Sequence, residues 1–230
     1  MTIEEIIRHY PRLYHMANHG TWDSISRRGL LSTSALLDLF QINGNERYRI
    51  ESCHRPNSIE IGPHPVHGTA IIRDQRPMNE RVLGRSLEGI GIREWYELLN
   101  RKAFFWMTEG RVQTLLKAKL YRDYEHVVIT VDTASLLAQH GDRAALSPIN
   151  SGSTIYNPPK RGQYTFLSIA EYPFVERRKR RGIANAVAEL AVDYSVPDLL
   201  AHTITVERRK DGRVLGTIYS RTTGERLVHE

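Results

Sequence analysis

The sequence is poor in cysteine and has no long apolar run. Its one cysteine, Cys53, among 230 residues excludes an internal disulfide and suits a reducing cytoplasm. No apolar run approaches the roughly 20 residues that a membrane-spanning helix needs. The acidic, amphipathic start "MTIEEIIRHY" differs from a signal peptide. We therefore expect a cytoplasmic protein that does not enter a membrane.

Motifs that mark several common enzyme classes are also absent. The sequence has neither G-x-G-x-x-G after a strand nor a Walker loop, which argues against a doubly wound nucleotide-binding fold. It lacks G-x-S-x-G, so nothing supports a serine hydrolase triad. Cys53, His54, His64 and His67 are metal-ligating types, but their spacing differs from the tight pairs of structural zinc sites. We predict no metal and interpret these histidines as loop residues.

Basic residues, in contrast, are plentiful. The net charge is +6, and the stretch "ERRKRRG" at 176–182 holds five consecutive basic residues. Such a run is either a solvated loop or a contact with the phosphate backbone of a nucleic acid. On the second interpretation, Arg177, Arg178 and Lys179 would contact a nucleic-acid partner.

The order of apolar patterns predicts an α+β chain. "RLYHMA" has the pattern of a strand, and "WDSISRR" that of a helix that Thr21 caps and Gly29 ends. "STSALLDLFQI" is a second capped helix. Residues 45–68 are rich in proline and histidine, which predicts mostly loop with a strand at "SIEIG". Further on, the pattern predicts a strand at "GTAIIRDQ", two helical pieces between residues 79 and 100, the strand "KAFFWMT" and the helix "EGRVQTLLKAKLYR".

Short strands dominate the second half. "HVVITVDT" is continuously apolar, which indicates burial on both faces. The helix "TASLLAQHG", the polar loop "SPINSGSTIYNPPKRGQ" and the strand "YTFLSI" follow, and "NAVAELAVDYSV" fits either a helix or a strand. A hairpin around Asp211-Gly212 closes the chain.

Three dispersed features carry chemistry. His15 lies in the first strand, the aromatic strand "FFW" at 104–106 precedes Arg111, and Glu189 lies within "AVAELAV". Each has a structural interpretation, since core histidines are usually hydrogen-bonded and most glutamates lie exposed or in salt bridges. A carboxylate among apolar residues is nevertheless costly to bury without a partner.

The order of these features resembles the ADP-ribosyltransferase superfamily, most closely the DarT type of DNA-modifying toxins. "LYHMA" is similar to that family's first strand, "SISRRGLL" to its short helix ending in Gly-Leu, "FFWMTEGR" to its aromatic strand with an arginine, and "VAELAVDYSVPDL" to its glutamate motif. The resemblance spans residues 12–206, but residues 45–100 have no counterpart. It implies a split mixed β-sheet with flanking helices in a single domain over residues 1–230, with an atypical insertion at about 45–100.

By this resemblance, the protein would use NAD as a co-substrate. Glu189 would polarise the nicotinamide ribose, because a carboxylate stabilises the positive charge that develops as nicotinamide leaves. His15 would bind a ribose of NAD, and Arg111 would hold the pyrophosphate or the acceptor. Tyr14 or Phe105 would stack on nicotinamide.

This sequence departs from the family pattern in two places. Ala17 stands where the family has threonine, and Asn18 is the candidate substitute. Arg111 follows the aromatic strand at a different spacing, so Arg73 of "IIRDQRP" is a rival. The loop "NSGST", with Asn150, Ser151 and Ser153, is the candidate for recognition of the acceptor.

The resemblance thus implies an NAD-dependent mono-ADP-ribosyltransferase that modifies a DNA or RNA base, with no metal. Such an enzyme would suit a toxin or phage-defence effector with an antitoxin or regulatory partner. Three alternatives stay open: a nucleic-acid-binding module without catalysis, an enzyme similar to tRNA 2'-phosphotransferases, and a protein-modifying ADP-ribosyltransferase.

Overall fold

The computed structural model describes residues 1–155 and 157–221. Twelve strands form there: β1 Arg12–Asn18, β2 Leu30–Leu31, β3 Ile59–His64, β4 Gly68–Ile72, β5 Lys102–Trp106, β6 His126–Asp132, β7 Ala144–Ser147, β8 Leu167–Ser168, β9 Glu189–Asp193, β10 Ser195–Val196, β11 Thr203–Lys210 and β12 Arg213–Ser220.

The same residues form eleven α-helices: α1 Ile3–His9, α2 Trp22–Arg28, α3 Thr33–Leu39, α4 Gly44–Glu51, α5 Glu80–Ser86, α6 Ile92–Asn100, α7 Glu109–Leu116, α8 Thr133–His140, α9 Phe174–Arg181, α10 Ile183–Ala186 and α11 Leu199–His202. None of the helices in the described ranges is long and apolar enough to cross a membrane.

The α+β class is confirmed, with one large sheet at the centre. Eight strands pair in the order β12-β11-β6-β1-β5-β9-β7-β8, and β2–β10 and β3–β4 form two small sheets. All strand pairs in the described part of the chain are antiparallel, so the prediction of a mixed sheet was wrong. Local sequence patterns do not encode strand direction, which depends on how distant segments meet.

Strand β6 lies inside the sheet and is buried on both faces, as its apolar run predicted. Val127, Ile129 and Val131 are fully buried in the main apolar core. Val128 packs on the opposite face in a smaller cluster, where Leu116 of α7 covers it. The sheet is therefore covered on both sides at β6, as a continuous apolar strand requires.

The sheet is split between β1 and β5. Strand β1 pairs with β6 along its whole length, from Arg12 to Asn18. Its pairing with β5 is limited to Tyr14 opposite Trp106. The two central strands therefore diverge beyond that pair, and an opening forms in the sheet beside His15.

Residues 45–100, the insertion, contain more regular structure than the sequence indicated. The predicted loop includes α4, so the loop prediction was wrong there. One apolar cluster joins α3, α4 and the β3–β4 hairpin, and another forms around Trp95 of α6. Arg73 donates to the carbonyl of Met16 at 3.1 Å, and Asn18 donates to Ser58 at 3.3 Å. These bonds attach the insertion to β1 next to the split.

Three other local predictions need correction. The basic run lies on α9 rather than in a loop, because Phe174 anchors that helix in the main core. "YTFLSI" forms a strand only at β8. Thr21 makes no capping bond; its hydroxyl donates instead to the carbonyl of Asn18 at 2.7 Å. "NAVAELAVDYSV", left open between helix and strand, ends α10 and then forms β9.

Gly29 ends α2, as predicted, with φ of 78°. A Cβ there would lie 2.2 Å from the carbonyl oxygen of Val196 and 2.4 Å from the Cα of Pro197. We expect Gly29→Ala to lower the free energy of unfolding by about 3 kcal/mol, because backbone strain and a backbone clash add. Urea unfolding measures this loss.

Gly20→Ala is the matched control for this effect. Gly20 has a similar φ of 83°, but nothing lies within 4 Å of its added Cβ. This variant should lose only about 1 kcal/mol, from backbone strain alone. Equal losses in the two variants would contradict the clash at Val196.

Candidate active site

A cleft of about 520 Å³ opens where β1 and β5 separate. This volume is within the range of roughly 300–1,000 Å³ that is typical of small-molecule sites. Strands β1, β5 and β9 form its floor, the segment from His19 to Leu36 forms one wall, and the insertion forms another. The predicted site residues that line it are His15, Asn18, Phe105, Asn150, Ser151 and Glu189.

Glu189 is a buried carboxylic acid at the start of β9. It lies opposite Trp106 of β5 and Ser147 of β7, and only 4% of the residue is exposed. The backbone N–H of Ser151 donates to both carboxylate oxygens at 3.2 Å. This is the partner that a buried carboxylate requires.

The surroundings of Glu189 change its acidity. Burial raises the pKa of Glu189 to about 7, although the hydrogen bonds from Ser151 and the charges of Arg111 and Arg161 oppose the rise. A carboxyl group with a pKa near 7 exchanges its proton at neutral pH. Glu189 is therefore equipped for general acid–base chemistry or for stabilising a positive charge.

His15 lies on the opposite side of the split. Its Nδ1 is 2.8 Å from the carbonyl oxygen of Phe104, and since a carbonyl only accepts, Nδ1 carries the proton. Burial lowers the pKa of His15 to about 4, so the ring is neutral at pH 7. Nε2 is left as an acceptor, and no side chain or backbone group of the described residues bonds to it.

Two cations of the cleft come from the insertion and from α2. Arg73 lines the cleft over the ring of Tyr121, with 4.8 Å between the guanidinium carbon and the ring centroid. Arg28 also lines it and donates to the carbonyl of Val66 at 3.1 Å. Among the ion pairs of the described residues, neither arginine has a carboxylate partner. Both are therefore available to an anionic ligand.

Arg111, the arginine expected in this role, is not among the residues that line the cleft. It donates to the side chain of Asn185 at 3.2 Å. Burial lowers its pKa, while the charge of Glu189 opposes that change. Arg111 is thus close enough to influence Glu189 electrostatically, but Arg73, its rival in the sequence, is the one inside the cleft.

The other predicted residues lie in three places. Tyr14 does not line the cleft, but it packs in the smaller apolar cluster with Met16 and Trp106, which do. The carbonyl of Ser153 accepts a hydrogen bond from Arg161 at 2.9 Å. Arg177, Arg178 and Lys179 lie on α9 and do not line the cleft.

Phe105 lines the cleft but is only 1% exposed, and its ring lies 6.1 Å from that of His15, edge to face. The ring of Phe105 packs against that of His15, so Phe105 has little free surface on which a ligand could stack. Phe104, Trp106 and Tyr121 also line the cleft. Of these, Phe104 and Trp106 retain partial exposure and are better placed to contact a planar ligand.

Sequence reasoning missed the wall that the insertion contributes. Asp74 organises this wall, because its carboxylate accepts from Tyr121 at 2.8 Å and from the backbone of Arg76 at 3.1 Å. The acidic and aromatic residues involved are far apart in the sequence and form no motif. One feature of the sequence could have indicated Arg28: it lies directly before Gly29, which ends α2.

Two groups of residues have side chains that could ligate a metal ion, but neither group favours a metal site. Within the described ranges, Cys53, His54, His64 and His67 form no ligand cluster, whereas His140, Asp198 and His202 do. Arg143 donates to Nδ1 of His140 at 2.8 Å, so Nε2 must carry the proton that is donated to Asp198 at 2.6 Å. A metal would have to replace that proton, and Nδ1 would then carry a proton directed at Arg143. The cluster therefore fits a hydrogen-bonded support between α8 and α11.

Comparison with known proteins places the chain in a family without assigning it an activity. A search of the curated proteins finds no match. One family model matches residues 11–203, which include the split between β1 and β5, the insertion and Glu189. The chain therefore belongs to the family described as "Family of unknown function (DUF7002)".

Proposed function

We propose that this protein is an NAD-dependent mono-ADP-ribosyltransferase that modifies a base of DNA or RNA. One observation carries the proposal. The buried carboxyl of Glu189 and the neutral ring of His15 line the same cleft at the split of the sheet. Both residues are those that the resemblance of the sequence assigns to ribose contacts.

The residues of the cleft fit NAD. Arg28 and Arg73 supply cations without carboxylate partners, which suits the pyrophosphate. Phe104 and Trp106 supply aromatic surface for nicotinamide. When bound, NAD would supply ADP-ribose: an acceptor atom bonds to the ribose carbon, the nicotinamide bond breaks with its electron pair leaving on nicotinamide, and the proton of the acceptor passes to the carboxylate of Glu189.

Two side chains would act on the ribose. Ionised Glu189 would stabilise positive charge at the sugar, and the low polarity around it strengthens that interaction. Nε2 of neutral His15 would accept a hydrogen bond from a ribose hydroxyl. The bond from Nδ1 to Phe104 holds the ring in the orientation that this needs.

The acceptor side of the proposal is supported by α9. Arg178, Lys179, Arg180 and Arg181 are all exposed, and none has an acidic partner among the ion pairs of the described residues. With a net charge of +6, such a helix suits a phosphate backbone. A cytoplasmic toxin or defence role, controlled by an antitoxin or regulatory partner, stays a prediction.

The test is transfer of a label from NAD. Purified protein is incubated with NAD labelled in its adenylate phosphate and, separately, with single-stranded DNA, duplex DNA, RNA and cell protein. We expect label in one nucleic-acid pool and none with Glu189→Gln. Label in cell protein alone would show that the acceptor is a protein and not a nucleic acid. Neither label nor nicotinamide release in any pool would reject the transferase.

The second candidate function is nucleic-acid binding without catalysis, which the basic helix α9 favours by itself. This function predicts binding that weakens steeply with salt, together with no affinity for NAD. Substituting Arg178 and Arg181 with glutamine should then weaken binding uniformly across sequences. NAD binding measured by calorimetry separates the two candidates.

A further inference from the structure

Arg161 is a fully buried arginine in the loop that precedes β8, with an exposed fraction of 0%. Its Nη1 donates to the carbonyls of Ser151 at 3.1 Å and Ser153 at 2.9 Å. Its guanidinium carbon lies 5.7 Å from the ring centroid of Trp95. No carboxylate pairs with it among the described residues. Burying such a charge is costly, so these contacts indicate a specific role.

The carbonyls that Arg161 holds belong to the loop that bonds to Glu189. Ser151 donates its N–H to both oxygens of Glu189 at 3.2 Å, while its carbonyl accepts from Arg161. One short stretch of backbone is therefore fixed between the guanidinium and the carboxylate.

The insertion anchors this arrangement through the backbone. The N–H of Arg161 donates to Ser86, and the carbonyl of Arg161 accepts from Glu88, both at 2.9 Å. At the other end of the loop, Thr154 donates to the carbonyl of Pro77 at 3.0 Å. The loop is thus fastened to the insertion at Thr154 and at Arg161.

We propose that Arg161 is a positioning residue that holds the loop from Ser151 to Ser153 against Glu189, with the insertion as its anchor. Its importance for catalysis depends on the proposed function, but the positioning itself does not. Besides Ser151, the charged groups that act on Glu189 are Arg111 from α7 and Arg161. The strand neighbours, Trp106 and Ser147, are uncharged.

The test is Arg161→Lys, which keeps a positive charge but lacks the Nε–H that donates to Pro159 and the planar guanidinium whose Nη1 donates to both Ser151 and Ser153. NMR follows the side-chain carboxyl carbon of Glu189, assigned by its absence in Glu189→Gln, and the hydrogen exchange of the Ser151 amide. We expect the pKa of Glu189 to rise by about one unit, because the N–H donor is no longer held in place. Exchange at Ser151 should accelerate about tenfold or more.

Arg55→Lys is the matched control. Arg55 is also a buried arginine bound to carbonyls, but its hydrogen bonds go to Ile50, Arg73 and Asn100 rather than to the loop at Glu189. It should change neither readout. A folded Arg161→Lys protein with an unchanged Glu189 titration and unchanged Ser151 exchange would overturn the proposal.

If Arg161→Lys does not fold, the wild-type protein provides the answer. The guanidinium N–H resonances of Arg161 and the amide of Ser151 should then shift with the same midpoint as Glu189, and independent titrations would overturn the proposal. Neither measurement uses NAD. A failed label-transfer experiment would therefore reject the transferase and leave the role of Arg161 to be decided separately.

Discussion

Glu189→Gln should abolish ADP-ribose transfer and, at the same time, stabilise the protein at alkaline pH. Glutamine keeps the size of the side chain and one of the two oxygens that accept from Ser151, but it cannot carry a negative charge. Because that charge would act mainly on the reacting ribose, we expect the transfer rate to fall by about 10³-fold, with NAD affinity little changed. Nicotinamide release and calorimetry measure the two quantities.

The effect on stability follows from the raised pKa of Glu189. In the folded protein this pKa is about 7, against 4.5 for the unperturbed group. The folded state therefore binds the proton of Glu189 more tightly than the unfolded state does. The stabilisation that this proton gives the fold is complete below pH 4.5 and is lost as the pH rises to 7. The loss amounts to about 3 kcal/mol. Glutamine does not titrate, so the variant should gain that much relative to wild type between pH 4 and pH 8.

Urea unfolding at several pH values measures this gain. Glu60→Gln is the matched control, because Glu60 also lines the cleft but is exposed on β3. Its difference from wild type should not grow with pH. A constant stability difference between wild type and Glu189→Gln would show that the carboxyl is not desolvated. The transfer rate of the wild type should be half-maximal near pH 7 and level off about one pH unit above it, since only the ionised form is active.

The sequence could indicate His15 and Glu189 because each lies in a short apolar segment and both match motifs of the family that the sequence resembles. Alternation in "RLYHMA" and the apolar run around Glu189 depend on local residues alone. The tautomer of His15, in contrast, depends on Phe104, which is 89 residues away. The acidity of Glu189 depends on Ser151, 38 residues away. No local pattern encodes either partner.

Local sequence patterns are even less informative for the insertion. Its prolines and scattered histidines predicted a loop, but packing between α3, α4 and the β3–β4 hairpin overrides those local preferences. The sequence indicated Arg73 only as a rival to Arg111. Only the fold brings it to the carbonyl of Met16 and into the cleft. Arg161 lies in a polar loop, so nothing in its sequence context predicts full burial.

His15→Phe should weaken NAD binding and change the acid sensitivity of the fold, with a sign opposite to that of Glu189. Phenylalanine fills the same space but removes both the Nε2 acceptor and the Nδ1 bond to Phe104. Loss of a hydrogen bond to a ligand in a partly buried site predicts about 10- to 100-fold weaker NAD binding by calorimetry. His19→Phe, at an exposed ring that lines the same cleft, is the matched control.

The pH dependence of the free energy of unfolding distinguishes a buried, neutral His15 from an exposed one. The pKa of His15 is lowered from 6.5 to about 4 in the folded protein, so its stabilising effect is present above pH 6.5 and lost as the pH falls to 4. That loss is about 3 kcal/mol in the wild type and should be absent from His15→Phe. Weaker NAD binding without this acid-dependent difference would mean that His15 reaches the ligand from a solvated position. The pH-dependent difference without any change in NAD affinity would make His15 a structural residue of the split sheet, and the donor site would then have to be sought elsewhere in the cleft.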